Sequence, residues 1–275
     1  MKRKNLRPRK HLGQNFLYDP AIAGRIADAA AVDGRNLVVE LGPGRGILTD
    51  ALVERGARLV AIEVDTGLAE GLKERFEGSD RVEIVLGDFA KVRLEALLSE
   101  HGVERCTLVG NIPYYLTRNV LFDFLVDEHQ VCERAVIMVQ KEVGDRIASP
   151  PGSRVYGITS VVLQSLYTVR TVMKVAPGSF TPRPKVASVV LSFEPLAQPL
   201  LQPGEVGPFK MLVKHLFGQR RKTIQNTLKS AYRLDEQALK DIAMRSGVDL
   251  GQRPEQLAKE TFLELLQTLT AVTDN

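Results

Sequence analysis

The run Val38-Val39-Glu40-Leu41-Gly42-Pro43-Gly44-Arg45-Gly46 decides how the chain folds. Leu37 to Leu41 has the apolar density of a strand buried on both faces, and it passes straight into a glycine loop. A helix is expected from about Ile47 to Arg55, ended by Gly56. Glycines at such a junction let the backbone turn sharply and approach a flat ligand, while the first turn of the following helix offers free N–H groups. A nucleoside cofactor is therefore expected over Gly42 and Gly44. A G-x-G-x-G run is by itself also a common turn; its position directly after a strand gives it weight as a site.

Outward from the loop, strand and helix periods alternate. Asp19-Pro20 reads as an N-cap followed by proline at the first helical position, opening a helix of small residues through Ala31. Strands near residues 59–63, 82–86, 107–109 and 135–139 are separated by helical stretches, the pattern of βαβ units around a mainly parallel sheet. Two later β-rich runs, residues 169–175 and 186–193, are joined by a segment holding Pro177, Pro182 and Pro184. A parallel crossover takes roughly a dozen residues or more, usually helical, and prolines forbid that helix. The last two strands should therefore be antiparallel neighbours. A sheet ending in an antiparallel strand is the Rossmann-like class I methyltransferase form of the α/β fold, as opposed to the all-parallel dehydrogenase form. Residues 195–208 carry Pro195, Pro199, Pro203, Gly204, Gly207 and Pro208, a linker composition. Only helical patterns follow, including residues 235–246 stopped by Gly247 and a last helix after Pro254 with Ala258, Phe262, Leu265 and Leu269 on one face. The expected organisation is a methyltransferase domain over residues 1–196, with a basic N-terminal arm, and a small all-helical domain over residues 197–275.

A chain of 275 residues, 44% hydrophobic and 25% charged, has the composition of an ordinary soluble protein with room for one large and one small core. Two cysteines, Cys106 and Cys132, are too few for a disulfide framework or a zinc cluster, and the four histidines fall in no metal or triad arrangement. No apolar run approaches the roughly 18 to 20 residues that span a bilayer, and the basic start is not followed by a signal-peptide core. A cytoplasmic monomer without metal or membrane partner is expected. The net charge of +4 hides an asymmetry: residues 1–18 hold six basic residues and no acid, and residues 205–233 hold seven basic residues and one acid. Two basic segments on an acidic body suit a polyanion, nucleic acid before an acidic membrane surface, because clustered cations displace counterions from phosphates.

Three strand ends carry candidate chemistry. Glu63 closes the strand after the glycine loop, where a carboxylate can accept both ribose hydroxyls of a nucleoside. Gly87-Asp88-Phe89 places a second carboxylate at the same sheet edge, either to accept from an adenine amino group or simply to form an Asx turn. Asn111-Ile112-Pro113-Tyr114 points to a reaction. An exocyclic adenine amine is a poor nucleophile because its lone pair is delocalised into the ring, so a catalyst must hold the nitrogen with acceptors on both sides. The Asn111 side-chain oxygen and the Ile112 carbonyl can each accept one N–H, since Pro113 locks the backbone and has no N–H of its own. Tyr114 can stack on a base swung out of its helix.

Together these residues resemble the ribosomal RNA adenine N6-dimethyltransferases, and within them the bacterial type that modifies two adjacent adenines near the 3′ end of small-subunit (16S) rRNA. The resemblance covers nearly the whole chain. It rests on Lys10-His11-Leu12-Gly13-Gln14-Asn15-Phe16-Leu17, the Glu40 to Gly46 loop, Glu63, Gly87-Asp88-Phe89 and Asn111 to Tyr114. It continues through Val139 to Val143, Tyr156-Gly157, Phe180 to Val186 and Gln219-Arg220-Arg221-Lys222-Thr223-Ile224. It implies S-adenosylmethionine over Gly42 and Gly44, with Glu63 on its ribose and Asp88 on its adenine amino group. It further implies that Asn15 and Leu17 close over the cofactor, that Asn111 sits between methyl and amine, and that Phe180 faces Tyr114 across the flipped adenine. Direct methyl transfer to N6 during small-subunit biogenesis follows, with rRNA and the pre-assembled small ribosomal subunit as partners.

The segment from Gln219 to Arg233 reads as a helix with Lys222, Asn226, Lys229 and Arg233 on one face and Ile224, Leu228 and Ala231 on the other. Arg220, Arg221, Lys222 and Lys229 are the expected phosphate contacts, which position RNA without reading its sequence. An NAD-dependent dehydrogenase accounts for Glu63 but leaves Asn111 to Tyr114 without a role. A non-catalytic assembly factor and a large-subunit (23S) methyltransferase of the antibiotic-resistance type are the other readings; Tyr156-Gly157 and residues 219–224 resemble the small-subunit type more closely.

Overall fold

The computed structural model describes residues 15–34, 36–202 and 204–273. The basic arm at residues 1–14, with the first part of the N-terminal motif, lies outside the described residues. Among the described residues nine strands run in chain order as β1 Phe16–Leu17, β2 Leu37–Leu41, β3 Arg58–Glu63, β4 Val82–Leu86, β5 Cys106–Asn111, β6 Cys132–Gln140, β7 Tyr167–Val175, β8 Phe180–Thr181 and β9 Ser188–Pro195. Seven form one sheet in the order β4-β3-β2-β5-β6-β9-β7. From β4 to β6 every pair is parallel, and β9 runs antiparallel to β6. The two runs joined by the proline segment do lie side by side as β7 and β9, with the reversed β9 inserted between β6 and β7. The first and third of those prolines, Pro177 and Pro184, flank the short β8, which leaves the main sheet to pair antiparallel with β1, Phe16 opposite Thr181 and Leu17 opposite Phe180.

All five residues of β2 are buried, as a strand covered on both faces requires. The helices Pro20–Ala29 and Ile47–Glu54 send Ala23, Ile26, Ala27, Leu48 and Leu52 into the same core as Val38, Leu59, Val109 and Val136. Each fully buried Leu, Ile or Val contributes about 1.5–3 kcal/mol relative to exposure. The first helix starts where Asp19 caps Ala21 N–H at 3.0 Å with Pro20 behind it, and it ends at Ala29, two residues short of the expected Ala31, which has a left-handed φ of 50°. Cys106 and Cys132 are both buried thiols outside any disulfide.

The chain separates into two compact units, one holding the described residues up to Gly144 with Val169–Pro195, the other Asp145–Thr168 with the described residues from Leu196 onward. The division at residue 196 takes the helical part as one continuous segment; the second unit is instead drawn from two. Within it the helices Ile158–Gln164, Val206–Gly218, Ile224–Tyr232, Glu236–Ser246 and Lys259–Thr273 share a core that includes Phe209, Leu216, Ile242 and Phe262. Lys259 Nζ ties the last helix to the Gln164 carbonyl at 2.7 Å, and Phe217 stacks on Phe262 at 5.9 Å. The helix from Val206 begins inside the expected linker, because Pro208 falls in a first turn whose N–H groups have no intrahelical partner anyway. Residues 219–233 are not one helix. A turn closed by Lys222 N–H on the Gln219 carbonyl comes first, and Thr223 then caps a new helix by accepting from Asn226 N–H at 3.3 Å.

One glycine shows how closely β5 approaches its neighbour. A Cβ on Gly110 would lie 2.9 Å from the Leu41 carbonyl oxygen and 2.6 Å from Ile112 Cδ1. Gly110→Ala is expected to cost about 1–3 kcal/mol by overpacking. Gly71→Ala, in an exposed helix position with nothing within 4 Å, should add about 0.5–1 kcal/mol. Urea midpoints that move the same way for both variants would contradict this packing.

Candidate active site

The parallel register sets the site. Leu41 lies opposite Ile62 on one side and Gly110 on the other, so Gly42, Glu63 and Asn111 leave the sheet at one C-terminal edge, where open α/β folds bind ligands. Gly42, Gly44 and Gly46 have φ values of 69°, 58° and 79°. At Gly44 a side chain would face both that conformation and Phe16 Cδ1 at 3.0 Å. Glu63 is 4% exposed and fastens the loop: its Oε2 accepts Gly44 N–H at 3.0 Å and its Oε1 accepts Asp65 N–H at 2.9 Å. A carboxylate offers about four lone-pair sites, so these bonds leave acceptor capacity for a ligand hydroxyl.

Asn111 is the last residue of β5, and its Nδ2 donates to the Asn15 carbonyl at 3.1 Å. That bond turns the side-chain oxygen into the acceptor available to a ligand. Asn15 and Leu17 line the same cleft as Gly42, Gly44, Glu63 and the Asn111 to Tyr114 run. In the turn, Pro113's carbonyl is engaged by Leu116 N–H at 2.9 Å, and Ile112 N–H reaches the Met138 carbonyl at 3.4 Å. The Tyr114 hydroxyl is 3.1 Å from Ser188 Oγ at the start of β9.

Two expected site residues are placed beside this group and not in the cleft lining. Asp88 Oδ1 accepts Ala90 N–H at 3.0 Å, the Asx-type turn, while the next residue, Phe89, lines the cleft. Phe180 is buried on β8 opposite Leu17, within the main core. In the second unit Arg220 donates to the Arg154 carbonyl at 2.7 Å and lies 3.7 Å from Glu255, so it braces its own unit. Arg221 and Lys222 are exposed in the turn, and Asn226, Lys229 and Arg233 are exposed beyond it; Ile224 and Leu228 are buried, but Ala231 is not. Among the described residues no group of three or more His, Cys, Asp or Glu is arranged to hold a metal, and no helix is long and apolar enough to cross a membrane.

Three contributors were not assigned from sequence. Phe16 carries the Arg45 guanidinium 4.7 Å above its ring, and Tyr115 lines the cleft beside Tyr114. Glu40 is 1% exposed at the centre of the edge and accepts from Thr49 Oγ1 at 2.8 Å. An acid inside an otherwise apolar strand, followed nine residues later by a threonine on the next helix, was the available signal. Burial first, then the nearby Glu63 and Asp50 carboxylates, push Glu40 from its ordinary 4.5 up to about 8, against the Thr49 bond. Burial also raises Glu63, opposed by the Asp65 and Gly44 N–H groups. A cation bound in the cleft would favour the ionised form of both groups and lower these values.

The sign for stability follows from Glu40. Below pH 4.5 it is protonated in both states; above that the unfolded chain releases the proton first, so stability falls until about pH 8 and then levels. Glu40→Gln should gain on the wild type across this window, by at most about 5 kcal/mol. Urea unfolding below and above the window checks it, and a difference independent of pH would contradict the burial argument.

Comparison with known proteins agrees with this geometry. The description "ribosomal RNA adenine dimethylase" matches residues 5–271. The "Ribosomal RNA small subunit methyltransferase A" of Geobacter metallireducens is 44% identical over 99% of each chain, and that of Moorella thermoacetica 38% identical over 98% of this chain and 95% of the other. Among solved structures, the 23S rRNA methyltransferase ErmE superposes with a TM-score of 0.70 at 28% identity, covering 93% of this chain and 99% of ErmE. A dimethyladenosine transferase from Plasmodium falciparum, at 23% identity and TM-score 0.77 over 94% and 98% of the two chains, shares the fold. A match running from residue 5 to residue 271 establishes membership: the chain belongs to the ribosomal RNA adenine dimethylase family.

Proposed function

We propose that the chain is an S-adenosylmethionine-dependent methyltransferase that converts two adjacent adenines near the 3′ end of small-subunit rRNA to N6,N6-dimethyladenosine. The observation that carries the chemistry is Asn111, whose amide nitrogen is committed to the Asn15 carbonyl within the cleft of the glycine loop. The likeness to relatives named as small-subunit enzymes supports the choice of subunit. The residues fit the cofactor: positive-φ glycines open a flat surface, apolar Leu17 and Phe89 line it, and Glu63 keeps acceptor capacity toward it beyond its bonds to Gly44 and Asp65.

S-adenosylmethionine, when bound, supplies a methyl group on a positively charged sulfur. Gly42 and Gly44 admit the nucleoside, Glu63 holds the ribose hydroxyls with its remaining lone pairs, and Asp88 takes the adenine amino group. Asn15 and Leu17 close over it. The Asn111 oxygen and the Ile112 carbonyl accept the two N–H groups of the target amine, which favours a tetrahedral nitrogen with its lone pair directed outward. Tyr114 stacks on the flipped base, and Phe180, buried against Leu17, backs the strand that closes the cleft. No strong general base is required, because the nitrogen becomes acidic once methylated and loses its proton to water. Arg221, Lys222 and Lys229, with Arg220 bracing the turn, contact phosphates of rRNA in a pre-assembled small subunit, and the protein acts as a monomer in the cytoplasm.

Labelled S-adenosylmethionine offered to small and large subunits from cells lacking each modification tests the reading. Dimethyladenosine in the small subunit alone is expected; label in the large subunit instead would transfer the chain to the resistance type. Asn111→Ala should lower transfer on the order of 100-fold or more while RNA binding persists. Loss of both together would make Asn111 a folding residue. Arg221→Glu with Lys222→Glu should weaken RNA binding and flatten its salt dependence, with cofactor affinity unchanged. Equal RNA affinity at several salt concentrations would remove that turn from the interface.

A further inference from the structure

The turn after β5 carries two consecutive tyrosines with different surroundings. Tyr114 and Tyr115 occupy one tight 3-10 turn, Tyr114–Leu116, closed by Leu116 N–H on the Pro113 carbonyl. Tyr114 is half-buried and its hydroxyl is anchored to Ser188. The Tyr115 hydroxyl makes no hydrogen bond among the described residues; the residue is 55% exposed and lines the cleft that contains Gly42, Glu63 and Val64. Val64 is itself 43% exposed and follows Glu63 directly. Two large apolar side chains thus stand open to water at the rim of a cleft whose floor is acidic.

An exposed ring beside carboxylates gains little from either water or charge, whereas a flat nucleoside can cover it while turning its polar edges to those carboxylates. The position of the ring agrees. Partial burial first, then the charges of Asp88 and Glu63, raise the Tyr115 phenol above its ordinary value. The ring therefore stands in the field of both acids, which are the ones assigned to the nucleoside, and it stays a neutral phenol at pH 7.

We propose that Tyr115 is a cofactor-binding residue whose ring covers the nucleoside held by Glu63 and Asp88, leaving Tyr114 to the target adenine. The inference rests on the reading of the cleft as an S-adenosylmethionine site. It divides the turn into a cofactor side and a substrate side, set by which tyrosine is tied to β9.

The chain has six tyrosines and no tryptophan, so its intrinsic emission reports tyrosine alone. S-adenosylhomocysteine is titrated into the full-length protein by calorimetry and by emission. Tyr115→Phe should bind within about threefold of wild type, since the ring is kept, but lose most of the emission change. Tyr115→Ala should bind about tenfold more weakly or worse, the range of aromatic stacking on a base. Retained affinity of Tyr115→Ala, or a full emission change in Tyr115→Phe, overturns the assignment. So does a Tyr115→Ala defect confined to RNA binding, which would place the ring on the substrate side. Wild-type protein that fails to bind S-adenosylhomocysteine at all would defeat the cofactor reading together with this one.

Discussion

The parallel pairing of β2 between β3 and β5 is the constraint on which the rest of the site depends. Because side chains and loops leave parallel strands at a common end, the register that sets Leu41 against Ile62 and Gly110 brings a glycine loop, a carboxylate and an amide to one edge. Positions 42, 63 and 111 are far apart in sequence and adjacent in space for that reason alone. Gly110 is the tightest point of the arrangement, since the Leu41 carbonyl leaves no room for a methyl group there. Packing in the core and geometry in the site are consequences of the same two strand pairs.

Hydrogen bonds then convert adjacency into a fixed cleft. Glu63 holds the loop through Gly44 and its own turn through Asp65, and Asn111 holds the N-terminal strand through Asn15. The short β1–β8 pairing fixes Phe16 and Leu17 in the wall of the cleft. Glu40, buried beneath the loop and raised by desolvation, opposes folding at higher pH. A buried acid at that position is a cost to stability, and a cationic ligand above it would offset part of that cost.

The order of elements was legible because buried parallel strands, glycine loops and proline breaks are local signals. The reversed strand was legible for the same reason: Pro177, Pro182 and Pro184 exclude a helical crossover. What escaped was mostly long-range or side-chain geometry. Nothing local shows that Phe180 pairs across to Leu17, or that residues 145–168 join the helical unit. The turn at residues 219–223 was hidden because its charged residues also fit a helical spacing; only the Thr223 cap marks the break. Asp88 illustrates the limit at a single residue, since Gly-Asp reads equally as a ligand and as a turn, and the structure shows the turn bond to one oxygen.

That one sheet edge gathers these separate segments around one cofactor can be tested by hydrogen–deuterium exchange with and without S-adenosylhomocysteine. New protection is expected in peptides covering residues 15–18, 42–48, 63–66 and 111–116 together, with the opposite sheet end around Gly34, Gly56 and Arg81 unchanged. Protection confined to the opposite end, or to residues 219–229 of the helical unit, would contradict it.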